Sequence, residues 1–454
     1  MKKGTTAAIK KALPALLGVL LLSAPLHAEV YCLQLEQESP LLLRESKNAF
    51  IHLSHLGLGI LRSEEDPQTF AALPGIQGIA KANKNRLFYI PSEPCYPNQQ
   101  AYLQMISAEE GWEITRGDAG FVVAVLDTGI NCAHEDLREN LWINPQEIPN
   151  NGIDDDRNGI VDDCHGACFI GEGTMASGDP EDVLFSGQGH GTHVAGIIAS
   201  PINGVGITGI SPNVTIMGIR VFMEDSDGTA TASDADILRA LDYILGMKKR
   251  GINIRGINLS LGTQPGEEEY NPAMEQGLQK VAEAGILIFI AAGNASTNIS
   301  LPGKEVYPAN YSAPNTIVVG ASSSSSYSLA YFSNYGPGVT MLAPGVNIYG
   351  PVSDFAKILH EKYVPKSGTS MATPLTLGIA MLLWSQNPSL PAGEVKKWLE
   401  SQATSVPELA AYCSTGAVVS AVQKETPPTP IPTNIPVPTS KPDPLEEFLG
   451  SGGG

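Results

Sequence analysis

Residues 121–126 read Phe-Val-Val-Ala-Val-Leu, an unbroken apolar run rich in β-branched side chains. A strand wetted on one face alternates polar and apolar residues. A run with no alternation predicts a strand buried on both faces. Similar runs recur at 214–221, 254–261, 286–291 and 316–319. Helical patterns lie between them. Residues 233–250 place Ile237, Leu238, Leu241, Ile244 and Leu245 on one face, with Ser233 or Asp234 as the cap; a second helix runs from near Asn271 to near Gly285. A last helix is expected at 392–403, with Val395, Trp398 and Leu399 on one face. Strand–helix alternation predicts an α/β, three-layer, doubly wound and mostly parallel sheet. Ligands of such sheets bind beyond the carboxyl ends of the strands.

What surrounds this domain is read from composition. Residues 1–28 carry Lys2, Lys3, Lys10 and Lys11, then an apolar stretch at 13–22, then Ala28, the arrangement of an export signal. The chain is therefore expected to be secreted, periplasmic or held at the cell surface. Residues 29–91 form a small leading segment, 92–423 the main domain, and 424–454 a Pro/Thr-rich tail that cannot bury a core. The net charge of -19, with no long basic cluster after the amino terminus, argues against a nucleic-acid partner. Six cysteines (Cys32, Cys95, Cys132, Cys164, Cys168 and Cys413) form an even set, which in an exported chain favours disulfides. Cys164-His165 with Cys168 lacks the second ligand pair of a zinc site.

Four polar residues fall where such a sheet would place chemistry. Asp127 leaves the first buried run at its carboxyl end, in Asp127-Thr128-Gly129. His190 stands at a helix start in Gly189-His190-Gly191-Thr192-His193, where His193 reads as a packing residue. Asn294 follows the run at 286–291 and offers an amide N–H2, a suitable oxyanion donor. Ser370, in Gly368-Thr369-Ser370-Met371-Ala372-Thr373-Pro374, opens a helix whose residues 375–384 are almost wholly apolar. The unpaired N–H groups of such a helix start favour developing negative charge. Each residue alone also fits an ordinary cap or turn.

Taken in order, these words resemble the subtilisin-like serine proteases over about residues 92–403. The matching stretches are 125–130, 189–196, 258–262, 291–294 and 368–374. The resemblance implies a serine endopeptidase in which Ser370 attacks, His190 moves the proton, Asp127 orients the imidazole, and Asn294 joins the Ser370 N–H in an oxyanion hole. Ser260, Leu261 and Gly262 then correspond to the strand that pairs with substrate, and Val306 to the floor of the first specificity pocket. Nearby Glu305 would instead favour a basic side chain. Residues 29–91 resemble a small α+β inhibitor-type propeptide, which would make the chain its own intramolecular inhibitor. The expected partners are protein or peptide substrates, and the expected state is a monomer. An inactive binding protein on this fold, or an esterase with the same residues, are the other classes.

Calcium is the expected cofactor. Asp154, Asp156, Asn158, the carbonyl of Ile160 and Asp162 follow the start of an EF-hand-type loop, with His165 standing where the twelfth-position Glu belongs. The family resemblance implies a second site at Asp136, Asn203 and Glu93.

Overall fold

The computed structural model describes residues 29–35, 49–53, 58–63 and 79–84 by their backbone, and 93–422 apart from 174, 185–187, 227, 268 and 354–360. The expected export signal, the tail from 424 and the side chain of Cys32 lie outside the described residues. Two compact units divide the chain, Met1–Ile90 and Pro91–Gly454. In the first, β1 (Glu29–Leu35), β2 (Ala49–Leu53), β3 (Leu58–Ser63) and β4 (Ile79–Lys84) form an antiparallel sheet in the order β2-β3-β1-β4.

The second unit begins with α1 (Tyr96–Met105) and α2 (Ala108–Ile114), then β5 (Val122–Asp127), β6 (Gly166–Ile170), β7 (Met175–Ser177), α3 (His190–Ala199), β8 (Thr215–Arg220), β9 (Met223–Glu224) and β10 (Ala230–Thr231). It continues through α4 (Asp234–Lys249), β11 (Ile254–Leu259), α5 (Pro272–Glu283), β12 (Leu287–Ala291), β13 (Thr316–Ser322) and β14 (Met341–Pro344). The last elements are β15 (Ile348–Pro351), β16 (Tyr363–Lys366), α6 (Thr369–Gln386), α7 (Ala392–Gln402), β17 (Thr404–Ser405) and β18 (Ala417–Val418). Ten strands make one sheet, ordered β17-β18-β14-β13-β12-β11-β5-β8-β6-β7. Its two terminal pairs are antiparallel and the rest parallel.

The unbroken apolar runs follow from this layering. All six residues of β5 are buried. Val123 and Val125 face a core built with α1, α2, α3, α6 and α7, whereas Val122, Ala124 and Leu126 face a second core built with α4 and α5. Water touches neither face, so the sequence has no reason to alternate. The helices start where their caps predict: the Ser233 side chain accepts the Asp236 N–H at the start of α4, and Asn271 accepts the Ala273 N–H before Pro272 at the start of α5. Helix α6 crosses the back of β11 to β14, and every residue of it from Met371 to Trp384 is buried. Among the described residues no helix is long and apolar enough to cross a membrane.

The expected disulfide framework is not met among the described residues, where Cys95, Cys132, Cys164, Cys168 and Cys413 are free thiols. Two of them are kept apart by the sheet itself, since Cys168 lies in β6 near one end and Cys413 precedes β18 near the other.

Candidate active site

Strand order brings four distant segments together. Asp127 is the last residue of β5, and His190 the first of α3, entered through the left-handed Gly189 at φ 68°. His190 Nδ1 lies 2.7 Å from Asp127 Oδ1, which also accepts the Thr128 N–H at 2.7 Å. The carboxylate is wholly buried while the imidazole remains partly open. The two segments pass so closely that a Cβ on Gly191 would stand 2.1 Å from the Gly129 carbonyl oxygen, which requires glycine there. His193, three residues on, is buried with its Nε2 3.0 Å from the Val364 carbonyl; burial, reinforced by the Lys366 charge, holds its pKa down at about 3.

Ser370 is the second residue of α6. Pro374 has no N–H to return to the Ser370 carbonyl, as a helix would otherwise require. The Ser260 hydroxyl takes that place, donating to the Ser370 carbonyl at 2.9 Å, and Ser370 Oγ donates to the Ser260 carbonyl at 3.3 Å. The proline in the helix and the serine after β11 thus solve one hydrogen-bonding problem together. Asn294 is fixed by its carbonyl oxygen, which accepts from the Thr369 N–H at 2.9 Å and the Thr369 hydroxyl at 3.0 Å. Its amide N–H2 is left for the cleft. A Cβ placed on Gly368 would lie 3.4 Å from Asn294 Nδ2 and 3.7 Å from the Ser370 nitrogen, so both donors flank one spot.

A cleft of about 260 Å3 opens between Ser260, Leu261, Gly262, Asn294 and Ser370. Val306 is fully buried, with its Cγ1 3.3 Å from where a Cβ on Gly262 would stand and 3.6 Å from one on Gly293. It packs against Gly262 and Gly293, which line the cleft, and does not line the cleft itself. A second cleft of about 260 Å3 shares Leu261 and Gly262 and is walled by Phe222, Tyr307 and Tyr311, which the sequence reading did not single out. Those residues lie on two segments far apart in the chain, so no sequence pattern marks them together.

Two groups of carboxylates fall at or near the residues expected to bind calcium, and the first has three oxygens close enough to share one ion. Glu147, Asp154 and Asp156 each bring an oxygen within 4.8 Å of the others, and Glu147 Oε2 and Asp156 Oδ1 are buried without a hydrogen bond. Glu147 precedes the predicted loop and had no spacing to reveal it. Asp162 departs from the expectation: its two oxygens accept the N–H groups of Asn151 and Gly152, which closes the loop instead of facing the cluster. Asn158 donates to Asp156 and Asp163, while its oxygen accepts the Ile160 N–H. The second cluster joins Glu93, which accepts the Gly204 N–H, to Asp136, which accepts the Ile207 N–H. Asn203 turns its oxygen to the Val205 N–H. Glu93 Oε2 and Asp136 Oδ1 are buried without a partner. Burial, and then the facing Glu93 carboxylate, hold the Asp136 pKa up at about 8, the mark of a site short of positive charge.

Known proteins resemble this chain in sequence and in fold. A family model described as the Subtilase family matches residues 118–424. Thermitase from Thermoactinomyces vulgaris is 32% identical over 333 residues, covering 73% of this chain and 97% of that protein. Subtilisin DY from Bacillus licheniformis is 31% identical over 288 residues, covering 63% and 85%. A solved protease structure from Pseudoalteromonas arctica matches in fold with a TM-score of 0.55 at 23% identity, over 73% of this chain and 98% of that one.

Proposed function

This chain belongs to the subtilase family and is a serine-type endopeptidase, and from that premise we propose that Asp127, His190 and Ser370 form its catalytic triad with Asn294 in the oxyanion hole. The observation that carries the assignment is the 2.7 Å contact between His190 Nδ1 and the buried Asp127 carboxylate. It fixes the tautomer that leaves Nε2 free to accept a proton. In this mechanism Ser370 Oγ leaves the Ser260 carbonyl, to which it donates at 3.3 Å, and donates to His190 instead. The hydroxyl then attacks a peptide carbonyl while His190 takes its proton. The tetrahedral oxyanion is met by Asn294 Nδ2 and the Ser370 N–H at the start of α6. His190 returns the proton to the leaving amine, and water repeats the sequence on the acyl-enzyme. Substrate lies along Ser260, Leu261 and Gly262, with a small or apolar side chain above Val306.

Calcium is the proposed structural cofactor, held by Glu147, Asp154 and Asp156 and by Glu93 and Asp136. There it would supply oxygen-ligated positive charge to these carboxylates, of which only Asp156, among the described residues, has a cation beside it, Arg250 at 3.7 Å. Residues 1–28 direct export and 29–91 inhibit the enzyme until cleavage; mass spectrometry of the secreted product would report the mature amino terminus. The test of the triad is hydrolysis of a peptide substrate together with labelling by a serine-directed phosphonate. Ser370→Ala should lose about 10⁶ in turnover and all labelling, and Asn294→Ala about 10²–10³. These magnitudes come from subtilisins themselves and are carried over. Full activity in Ser370→Ala sinks the assignment.

A further inference from the structure

Behind the Asp127–His190 pair stands a second acidic side chain, Asp182, only 1% exposed. Its Oδ1 accepts from the Thr128 hydroxyl at 3.0 Å. Its Oδ2 accepts from the Thr192 hydroxyl at 2.6 Å and from the Thr192 N–H at 3.3 Å. Both hydroxyl oxygens then accept a backbone N–H from the opposite segment: Thr128 Oγ1 from Gly191 at 2.9 Å, and Thr192 Oγ1 from Asn131 at 3.1 Å. Thr128 follows Asp127 and Asn131 lies on the same turn. Gly191 and Thr192 follow His190.

The polarity of this arrangement depends on the carboxylate. A hydroxyl has one proton. Asp182 accepts a hydrogen bond from each threonine hydroxyl, so each hydroxyl oxygen is left to accept the other segment's N–H. An Asn in its place offers one acceptor and one N–H2 group, and the N–H2 would face a hydroxyl that must also donate. One bond between the two segments would then be lost or reversed. Burying a carboxylate for this purpose is costly, and the facing charges offset it only in part. Lys366, its Nζ on the Gln188 carbonyl at 2.9 Å, is the cation that acts on Asp182 and Asp127, and Asp127 itself opposes. A cap for α3 would need only the Thr192 N–H; engaging hydroxyls from two segments goes beyond that.

We propose that Asp182 is a positioning residue that, through Thr128 and Thr192, holds the turn bearing Asp127 against the helix start bearing His190. The inference rests on the triad reading above. Its role is geometric, and small misplacement of a reacting group costs up to about 10²-fold in rate. Asp182→Asn and Thr192→Val should each lower kcat at least about tenfold with KM changed less than about threefold, and Thr192→Ser, which keeps the hydroxyl, should recover most of the loss. Because both act on one device, the double variant Asp182→Asn/Thr192→Val should lose no more than the worse single one. Rates are referred to active sites titrated with a serine-directed phosphonate, so poorly folded material is not counted. A kcat for Asp182→Asn within about twofold of the parent, an equal loss in Thr192→Ser and Thr192→Val, or losses that multiply in the double variant would each overturn the proposal. Activity in Ser370→Ala would remove the triad reading and this inference with it. An inactive Ser370→Ala beside a fully active Asp182→Asn removes this inference alone.

Discussion

His190 and His193 sit on one turn of α3 and meet opposite surroundings. The first has its imidazole partly open at the cleft; the second is sealed in the core against the β15–β16 hairpin, where a Cβ on Gly350 would stand 2.6 Å from its ring. That burial has a consequence for stability. The folded pKa of His193, about 3, lies below the unfolded value of about 6.5, so between these values the unfolded chain binds the extra proton. The contribution of His193 is intact above about pH 6.5 and is lost as pH falls toward 3. In a Ser370→Ala background, which prevents self-digestion, the thermal midpoint should fall from pH 7 to pH 4. His193→Gln should start lower at pH 7 and fall less steeply. An identical slope in both proteins would show that other groups govern acid lability.

Among the elements, α6 shows how a local rule is broken and repaired. A proline at its sixth residue removes the N–H that would bond Ser370, and Ser260, from the end of β11, supplies the donor. Ser260→Ala should therefore leave that carbonyl without a donor, at a cost of about 1 kcal/mol. Adding Pro374→Ala restores a backbone N–H at the right place. The double variant should be more stable than Ser260→Ala alone in urea unfolding, and a simple sum of the two single effects would contradict the pairing. The helix's apolar run was legible in the sequence, because burial on all sides leaves no polar stripe. The Ser260–Pro374 pairing was not, because Ser260 and the Ser370 carbonyl it serves are 110 residues apart and meet only once β11 and α6 are packed.

In the larger unit, helices on both faces of one mostly parallel sheet bury two cores, and loops outside the sheet carry carboxylate oxygens buried without a hydrogen bond. A ligand bound only to the folded state stabilises it by mass action, about 2.7 kcal/mol at a hundredfold excess over Kd. EDTA should lower the thermal midpoint of the Ser370→Ala protein by several degrees, and calcium should restore it. Asp154→Ala and Asp136→Ala should each remove part of that response, and an unshifted midpoint in EDTA argues against structural calcium. The sequence by itself determined the central buried strands and the helices between them, a cap at Ser233 or Asp234, a helix start near Asn271, and the candidates Asp127, His190, Asn294 and Ser370. Each of these is written in local pattern: an apolar run, a capping side chain, a polar residue at a strand end. Only the tertiary structure decided that Glu147 joins Asp154 and Asp156 while Asp162 closes its own loop, that Ser260 serves the Ser370 carbonyl, and that Asp182 stands between Thr128 and Thr192. Those choices depend on which hydrogen-bonding groups remain unpaired after the backbone is packed, and local sequence pattern does not record that.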